Sequence, residues 1–258
     1  MNDHRVALIT GGARGIGRAI AEALVAEGID VHICDIDEGG LGACLVANPG
    51  MKGSHADMSN SEDVARVFTD LAAYTSRLDI LVNNVGIAGP TALVENIELA
   101  QWEQTIAIDL NATFYATRQA TPLIKKAKGS IINIASNAAL FGFPLRSPYV
   151  ASKWALIGLT KTWAMEMGPD GVNVNAICPG SVKGPRIDGV IDRDAEERGL
   201  SAQSIRDVYL RQSSMRVFID ATEIAETVKF LCSPAGHNIS GQSIAIDGHT
   251  EGLSNWLE

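Results

Sequence analysis

The chain has 258 residues, of which 46% are apolar, and a formal charge of −9 at pH 7. That size allows one large α/β domain or two small ones, and the apolar fraction suffices for a core on both faces of a sheet. The acidic balance removes the electrostatic footprint of a nucleic-acid binder, and no apolar stretch nears the roughly 20 residues that cross a bilayer.

The four cysteines, Cys34, Cys44, Cys178 and Cys232, show no C-x-x-C pair and no metal-ligand spacing, so no metal is expected. Three sit in or beside apolar runs, where a free thiol acts as a small hydrophobe, which suits a reducing cytosol. The first apolar run leads straight into a glycine-rich turn and leaves no room for a secretory signal. A soluble, cytoplasmic protein is the expectation.

That first run, Val6–Ile9, reads as a strand. It is followed by Thr10-Gly11-Gly12-Ala13-Arg14-Gly15-Ile16-Gly17, after which Ile16, Ala19, Ile20, Ala23 and Leu24 share one helix face as far as Gly28. Glycines let the backbone turn sharply and approach a pyrophosphate, whose charge sits against the free N–H groups of the helix start. The spacing is G-x-x-x-G-x-G rather than G-x-G-x-x-G, and glycines alone mark only a tight turn. The context adds a strand before, a helix after, and Asp35 closing the second strand (Val31–Cys34), 18 residues beyond Gly17. A carboxylate there accepts from both ribose hydroxyls and repels a 2′-phosphate, which favours NAD. The alternative is an aspartate that only begins a turn. Arg14 leans the other way, since a guanidinium pairs with a 2′-phosphate. A cation tolerates either cofactor, however, whereas the carboxylate penalises one. Gly11, Arg14, Gly15, Ile16, Gly17, Asp35 and Ile36 are the candidate cofactor contacts on this side.

Further strands are expected near Gly53–Ala56 (weakly), Ile80–Val82, Ser130–Ile134, Val172–Ile177 and Ser243–Ile246, with Val64, Val67, Phe68 and Leu71 on one helix face between the first two. Strands alternating with amphipathic helices imply βαβ units, hence an α/β doubly wound, Rossmann-like parallel sheet with helices on both faces. No repeat or linker divides the chain, so a single domain over 1–258 is expected.

Ser136 follows the strand Ser130–Ile134, at the carboxyl end where such sheets bind ligands. Tyr149 and Lys153 stand four apart at the start of a helical pattern that runs to Met167, and so share a face. An ammonium held near a phenol favours the phenolate, which makes Tyr149 a candidate base for alcohol oxidation and acid for the reverse. Between Ser181 and Phe218 the rhythm breaks into charged helical pieces without a strand. Residues 183–216 read either as a cover over the substrate or as a solvated helix pair.

Together these motifs resemble the short-chain dehydrogenase/reductase family in its single-domain branch, over Val6 to about Gly248. They stand in family order: Thr10–Gly17, Asp57, Asn83-Asn84-Val85-Gly86, Ser136, the Tyr149/Lys153 pair, Pro179-Gly180 and Asp247-Gly248. The resemblance implies a seven-stranded parallel sheet, a nicotinamide cofactor bound before substrate, and a homotetramer. It implies that Tyr149 transfers the proton, Lys153 tunes it and holds the nicotinamide ribose, and Ser136 orients the substrate. Further implied contacts are Asp57 and Met58 at the adenine, Asn83 and Gly86 beside the adenosine ribose, and Pro179, Gly180 and Val182 facing the nicotinamide. Two positions depart from the family. Asp109 takes the place of a helix asparagine that supports a proton relay to the lysine, and it is the fourth candidate catalytic residue. Asn111, two positions on, points elsewhere on the helix. Gly184 replaces the threonine common after Pro-Gly.

For the substrate, Arg146 lies three residues before Tyr149, and Lys183, Arg186 and Arg193 open the expected cover. They suit an anion, or they are balanced by neighbouring acids, since 183–216 hold seven Lys/Arg and six Asp/Glu. Leu140, Phe141 and Phe143 line a pocket or pack the loop. The reading is an NAD-dependent oxidoreductase of a secondary alcohol or carbonyl: a sugar, polyol or hydroxy acid. The alternatives are an NADPH-dependent 3-oxoacyl thioester reductase and, more remotely, a non-catalytic dinucleotide sensor. Apart from substrate and self-association, no nucleic-acid or membrane partner is expected.

Overall fold

A computed structural model describes residues 4–254; the other residues of the expected 1–258 span lie outside the described residues. The chain runs β1 (Val6–Thr10), α1 (Gly15–Ala26), β2 (Asp30–Asp35), α2 (Glu38–Ala47), β3 (Lys52–His55), α3 (Ser61–Ala72) and β4 (Ile80–Asn83). After these come α4 (Leu99–Ile106), a π-helical stretch Ala107–Asn111, α5 (Ala112–Ala127), β5 (Ser130–Ile134), α6 (Ser147–Met167) and β6 (Asn173–Pro179). The last elements are α7 (Pro185–Arg198), α8 (Ala202–Arg211), α9 (Ala221–Leu231) and β7 (Ser243–Ile246). The seven strands form one parallel sheet in the order β3-β2-β1-β4-β5-β6-β7. This is the expected doubly wound, Rossmann-like architecture.

Strand alternation sorts the apolar residues into two layers. Ala7, Ile9, Val31 and Ile33 face Ile20 and Leu24 of α1 and Ile224, Val228 and Leu231 of α9. On the other side, Val6, Leu8, Leu81 and Ile131 face Val64, Val67 and Leu71 of α3 and Ala116, Ala120 and Ile124 of α5. Each Ile or Leu taken wholly out of water contributes about 2 kcal/mol, so both layers are needed to offset chain entropy. The central strands β1, β4, β5 and β6 are buried along their whole length, as two-sided coverage requires.

Strand order reverses between β1 and β4, and the chain therefore leaves these neighbours in opposite directions, opening a crevice at their carboxyl ends. Two asparagines brace the crevice floor. The Asn83 carboxamide donates to Asn133 Oδ1 on β5 (2.8 Å) and to Thr117 Oγ1 on α5 (3.0 Å). The Asn84 carboxamide donates to the carbonyls of Thr10 (3.0 Å) and Gly11 (2.8 Å), tying β4 to the glycine turn. Beyond β6, α7 and α8 fold on each other through Val190, Ile191, Ala195, Ile205 and Tyr209, with Phe143 packed against them.

Candidate active site

A cleft of about 530 Å³ follows the carboxyl ends of the strands, from Asp35 and Ile36 past the glycine turn to Ser136, Tyr149 and Lys153 and on beneath α7 and α8. At its first end Gly11 (φ +62°) and Gly15 (φ +53°) occupy the left-handed region. Nothing lies within 4 Å of where a Gly15 side chain would begin, so bare backbone faces the cleft. The first turn of α1 holds no acidic residue and its N-cap, Arg14, makes no side-chain capping bond. The unclaimed N–H groups and the positive end of the helix dipole suit a pyrophosphate. Asp35 Oδ2 accepts from Ala13 N–H and Oδ1 from Asp37 N–H (3.0 Å each), which fixes the carboxylate at the end of β2. Arg14 is ion-paired with Asp37. These residues fit a nicotinamide dinucleotide. Ile16, Asp57, Met58 and Gly86 also line this arm. Asp57 Oδ1 accepts from the N–H (2.9 Å) and O–H (2.7 Å) of Ser59.

At the other end Pro148 presets the first turn of α6, which puts Tyr149 and Lys153 on one face. Lys153 Nζ is buried, 5.6 Å from the Tyr149 ring centroid, and donates to the Ile134 carbonyl at 3.4 Å. Ser136 Oγ accepts from Ala138 N–H (3.1 Å) and meets Asn137 Oδ1 at 3.2 Å. The Tyr149 hydroxyl forms no hydrogen bond among the described residues, so it faces the cleft unclaimed. Pro179, Gly180 and Val182 line the same end. Burial pushes the Cys178 thiol up to about 11, and those of Cys34 and Cys232 up to about 12, so none competes as a nucleophile. The described residues contain no cluster of metal ligands.

Three expected site residues do not line the cleft. Asn83 is turned into the sheet by its bonds to Asn133 and Thr117, and its neighbour Asn84 takes the cleft position. One residue's shift at a strand end reverses the face. Gly17 lies behind the turn, where a Cβ would stand 2.2 Å from the Gly11 carbonyl oxygen, so its part is close packing. Asp109, expected among the catalytic residues, is fully buried in the π-helical stretch. Its carboxylate accepts from Ile87 N–H (2.7 Å) and Ser152 O–H (3.3 Å). Gly86 separates it from the cleft, with Asp109 Oδ1 and Lys153 Nζ each 3.2 Å from where a Gly86 Cβ would stand. The other departure has a backbone reason: Gly184 has φ +133°, which side chains avoid.

The substrate end beyond Tyr149 is bounded by Ala88, Phe143, Arg146, Ile187, Val190 and Tyr209. Of the three apolar loop residues, Phe143 reaches the cleft; Leu140 and Phe141 do not. Tyr209 and Gln212 line it from α8 and its C-cap. Sequence reading did not single these out, because nothing in their spacing ties a remote helix to this pocket. The cations of the cover are engaged: Lys183 pairs with Asp220 (2.8 Å) and Arg186 Nη1 donates to the Gly86 carbonyl (2.9 Å).

Comparison with known proteins agrees with this geometry. A family model described as enoyl-(acyl carrier protein) reductase matches residues 11–250. The chain is 37% identical to a trans-4-hydroxycyclohexanecarboxylate dehydrogenase of Sinomonas cyclohexanicum, covering 95% of this chain and 92% of that one. It is 33% identical to a D-beta-hydroxybutyrate dehydrogenase of Rhizobium meliloti, covering 95% and 97%. Among solved structures, an actinorhodin polyketide ketoreductase with NADPH superposes with a TM-score of 0.92 at 28% identity, covering 99% of each chain. With the cleft, its Ser136/Tyr149/Lys153 set and these relatives in agreement, the chain belongs to the short-chain dehydrogenase/reductase family and is an NAD(P)-dependent oxidoreductase acting on CH–OH groups.

Proposed function

We propose that the protein is an NAD-dependent dehydrogenase of a small secondary alcohol, with Tyr149 as its proton-transferring group. The observation that carries this reading is the unclaimed Tyr149 hydroxyl in the same cleft as Ser136, with the buried ammonium of Lys153 behind the ring. When bound, a nicotinamide dinucleotide supplies hydride acceptance and donation at carbon. Ser136 offers its O–H to the substrate oxygen and holds it beside Tyr149. Tyr149 takes the proton from that oxygen during oxidation and returns it during reduction. Lys153 supplies positive charge that stabilises negative charge developing on the phenolic oxygen, and has donors left over for a ribose hydroxyl. Gly11, Gly15, Ile16, Met58, Gly86, Pro179, Gly180 and Val182 form the walls that a dinucleotide fills.

NAD is favoured over NADP by Asp35, whose carboxylate sits where a 2′-phosphate would go. Arg14, the one residue that supports an NADPH-dependent thioester reductase, is neutralised by Asp37. A pure sensor reading leaves the complete Ser136/Tyr149/Lys153 set unexplained. The chain works as one catalytic domain, with α7 and α8 as the cover that excludes water. It assembles as a homotetramer through the exposed Phe114, Trp154 and Met165 on α5 and α6, and resides in the cytoplasm, where its four buried, unpaired cysteines stay reduced.

The test is initial rates with NAD and with NADP on a panel of secondary alcohols, using wild type and Tyr149→Phe, with sedimentation of the same preparations reporting assembly. Wild type favours NAD by at least about tenfold, as expected for one uncompensated carboxylate–phosphate clash. Tyr149→Phe loses at least about a hundredfold in kcat while its affinity for NADH holds. An NADP preference, or a Tyr149→Phe variant that keeps its turnover, overturns the assignment.

A further inference from the structure

One charged side chain at the substrate end has no counter-charge. Arg146 is only 4% exposed, yet it lines the cleft beside Tyr149. Its Nη1 donates to Thr91 Oγ1 at 2.6 Å, whereas its buried Nε has no partner. Its guanidinium carbon lies 5.9 Å from the Tyr149 ring centroid and 5.7 Å from that of Phe143, so its faces meet aromatic rings rather than acids. Among the described residues no carboxylate comes within ion-pair distance of it. Asp194, the acid whose field reaches it, is bound to Arg198 one helical turn away. Burial disfavours the charge on Arg146 and holds its pKa below the usual guanidinium value. The backbone enforces this placement. Leu145 is held in the left-handed region (φ +67°), with its carbonyl accepting from Ala92 N–H at 3.0 Å, and this turns the next residue inward. A non-glycine residue in that conformation is strained, and strain of this kind gathers at functional sites.

Keeping an ion buried without a counter-ion is expensive, and a protein sheds such a charge unless something binds it. With Nη1 spent on Thr91, the Nε–Nη2 edge remains, the pair of parallel N–H groups that takes a carboxylate side-on. We propose that Arg146 is the anion-recognition residue of the substrate site, and that the substrate is a short hydroxy acid whose carboxylate seats on this edge while its hydroxyl meets Tyr149 and Ser136. The inference rests on the cleft being the dehydrogenase site proposed above. It also explains why the cover needs no cation of its own: Lys183 and Arg186 are already paired, and Arg193 is exposed.

The experiment uses the full chain with NAD. Short hydroxy carboxylates, with the hydroxyl on the second, third or fourth carbon, are each compared with their methyl ester. Wild type prefers the acid by at least about tenfold in kcat/KM, the discrimination expected of one charge-assisted fork. In Arg146→Met that ratio collapses to about one, chiefly through KM, and in Arg146→Lys part of it survives. Circular dichroism checks that each variant is folded. A second readout needs no turnover: with NADH present, propionate and butyrate raise the Tm of wild type whereas butyramide does not, and Arg146→Met loses the response. Esters that serve as well as acids, or carboxylates that stabilise Arg146→Met equally, overturn the anion site and leave the dehydrogenase reading standing. If no acid, ester or neutral alcohol reduces the cofactor, the dehydrogenase reading falls, and the carboxylate-dependent Tm still judges Arg146 by itself.

Discussion

Asp109 shows how a substitution in a shared pattern can keep the architecture while changing the charge. Its two oxygens hold the loop after β4, through Ile87 N–H, to α6, through Ser152 O–H. An asparagine satisfies both contacts, because its carbonyl accepts from Ile87 and its NH₂ donates to Ser152, whose own proton also serves the Tyr149 carbonyl at 2.8 Å. Asp109→Ala leaves a buried donor unmet, at a cost of about 1–3 kcal/mol. At this chain length that lowers Tm by roughly 3–10 °C, whereas Asp109→Asn stays within about 2 °C of wild type. Calorimetry of the two variants decides the point; equal losses would mean that the charge, not the hydrogen bonds, is what the site requires. Residue types and their order were legible in the sequence for Ser136, Tyr149, Lys153 and Asp35. What spacing did not carry was direction: that Asn84 rather than Asn83 meets the glycine turn, that Asp109 stands behind Gly86, and that Arg146 is buried without an acid.

Helix α1 meets the turn before it at a distance only glycine permits. A methyl group at Gly17 would stand 2.2 Å from the Gly11 carbonyl oxygen and 2.6 Å from Asn84 Nδ2, both parts of the β1–β4 brace, so neither can move aside alone. Gly17→Ala is therefore expected to pry the helix from the turn, weakening NADH at least about tenfold and destabilising the chain by roughly 1–3 kcal/mol. Fluorescence titration and thermal melting read the two effects, and an unchanged affinity would remove Gly17 from the cradle. Element positions were the most legible part of the fold, since β1, β4, β5 and β6 are unbroken apolar runs and the α1 and α3 faces are strictly periodic. Two elements gave weak signals for physical reasons. The edge strand β3, Lys-Gly-Ser-His, buries only Ser54, and α2 carries Gly39, Gly40 and Gly42 in one short helix. That helix stands because Asp37 caps it, accepting from Gly40 N–H at 2.9 Å, and because Leu41 and Cys44 are buried against the sheet.

Over the whole molecule, pH acts on stability through a buried histidine outside the cleft. His32, on β2, meets Tyr74 Oη (3.0 Å) and Ser54 Oγ (2.9 Å), and Ser54 gives its one proton to Asp70 (2.6 Å). The imidazole is thus set neutral, with Nε2–H toward Ser54 and Nδ1 accepting from Tyr74. Burial pushes its pKa down from 6.5 to about 4; the Asp70 charge opposes this and Lys52 assists it. Between those values the unfolded chain binds the extra proton and the folded chain does not. The contribution is therefore full above pH 6.5 and is lost as pH falls toward 4, a change of about 3 kcal/mol. Urea titrations across this window should give a steeper acid loss for wild type than for His32→Gln, and parallel curves would refute the assignment. The sheet order was legible from the family resemblance, but this histidine was not, because its neutrality depends on partners 22 and 42 residues away. At the same scale, the bond from Arg186 to the Gly86 carbonyl joins α7 to the far rim of the crevice. One such exposed contact is worth about 1 kcal/mol, a bias of roughly fivefold. The ligand-free enzyme therefore spends an appreciable share of its time ajar, so solutes come and go on thermal fluctuations alone, and a tight seal has to be contributed by whatever fills the space beneath.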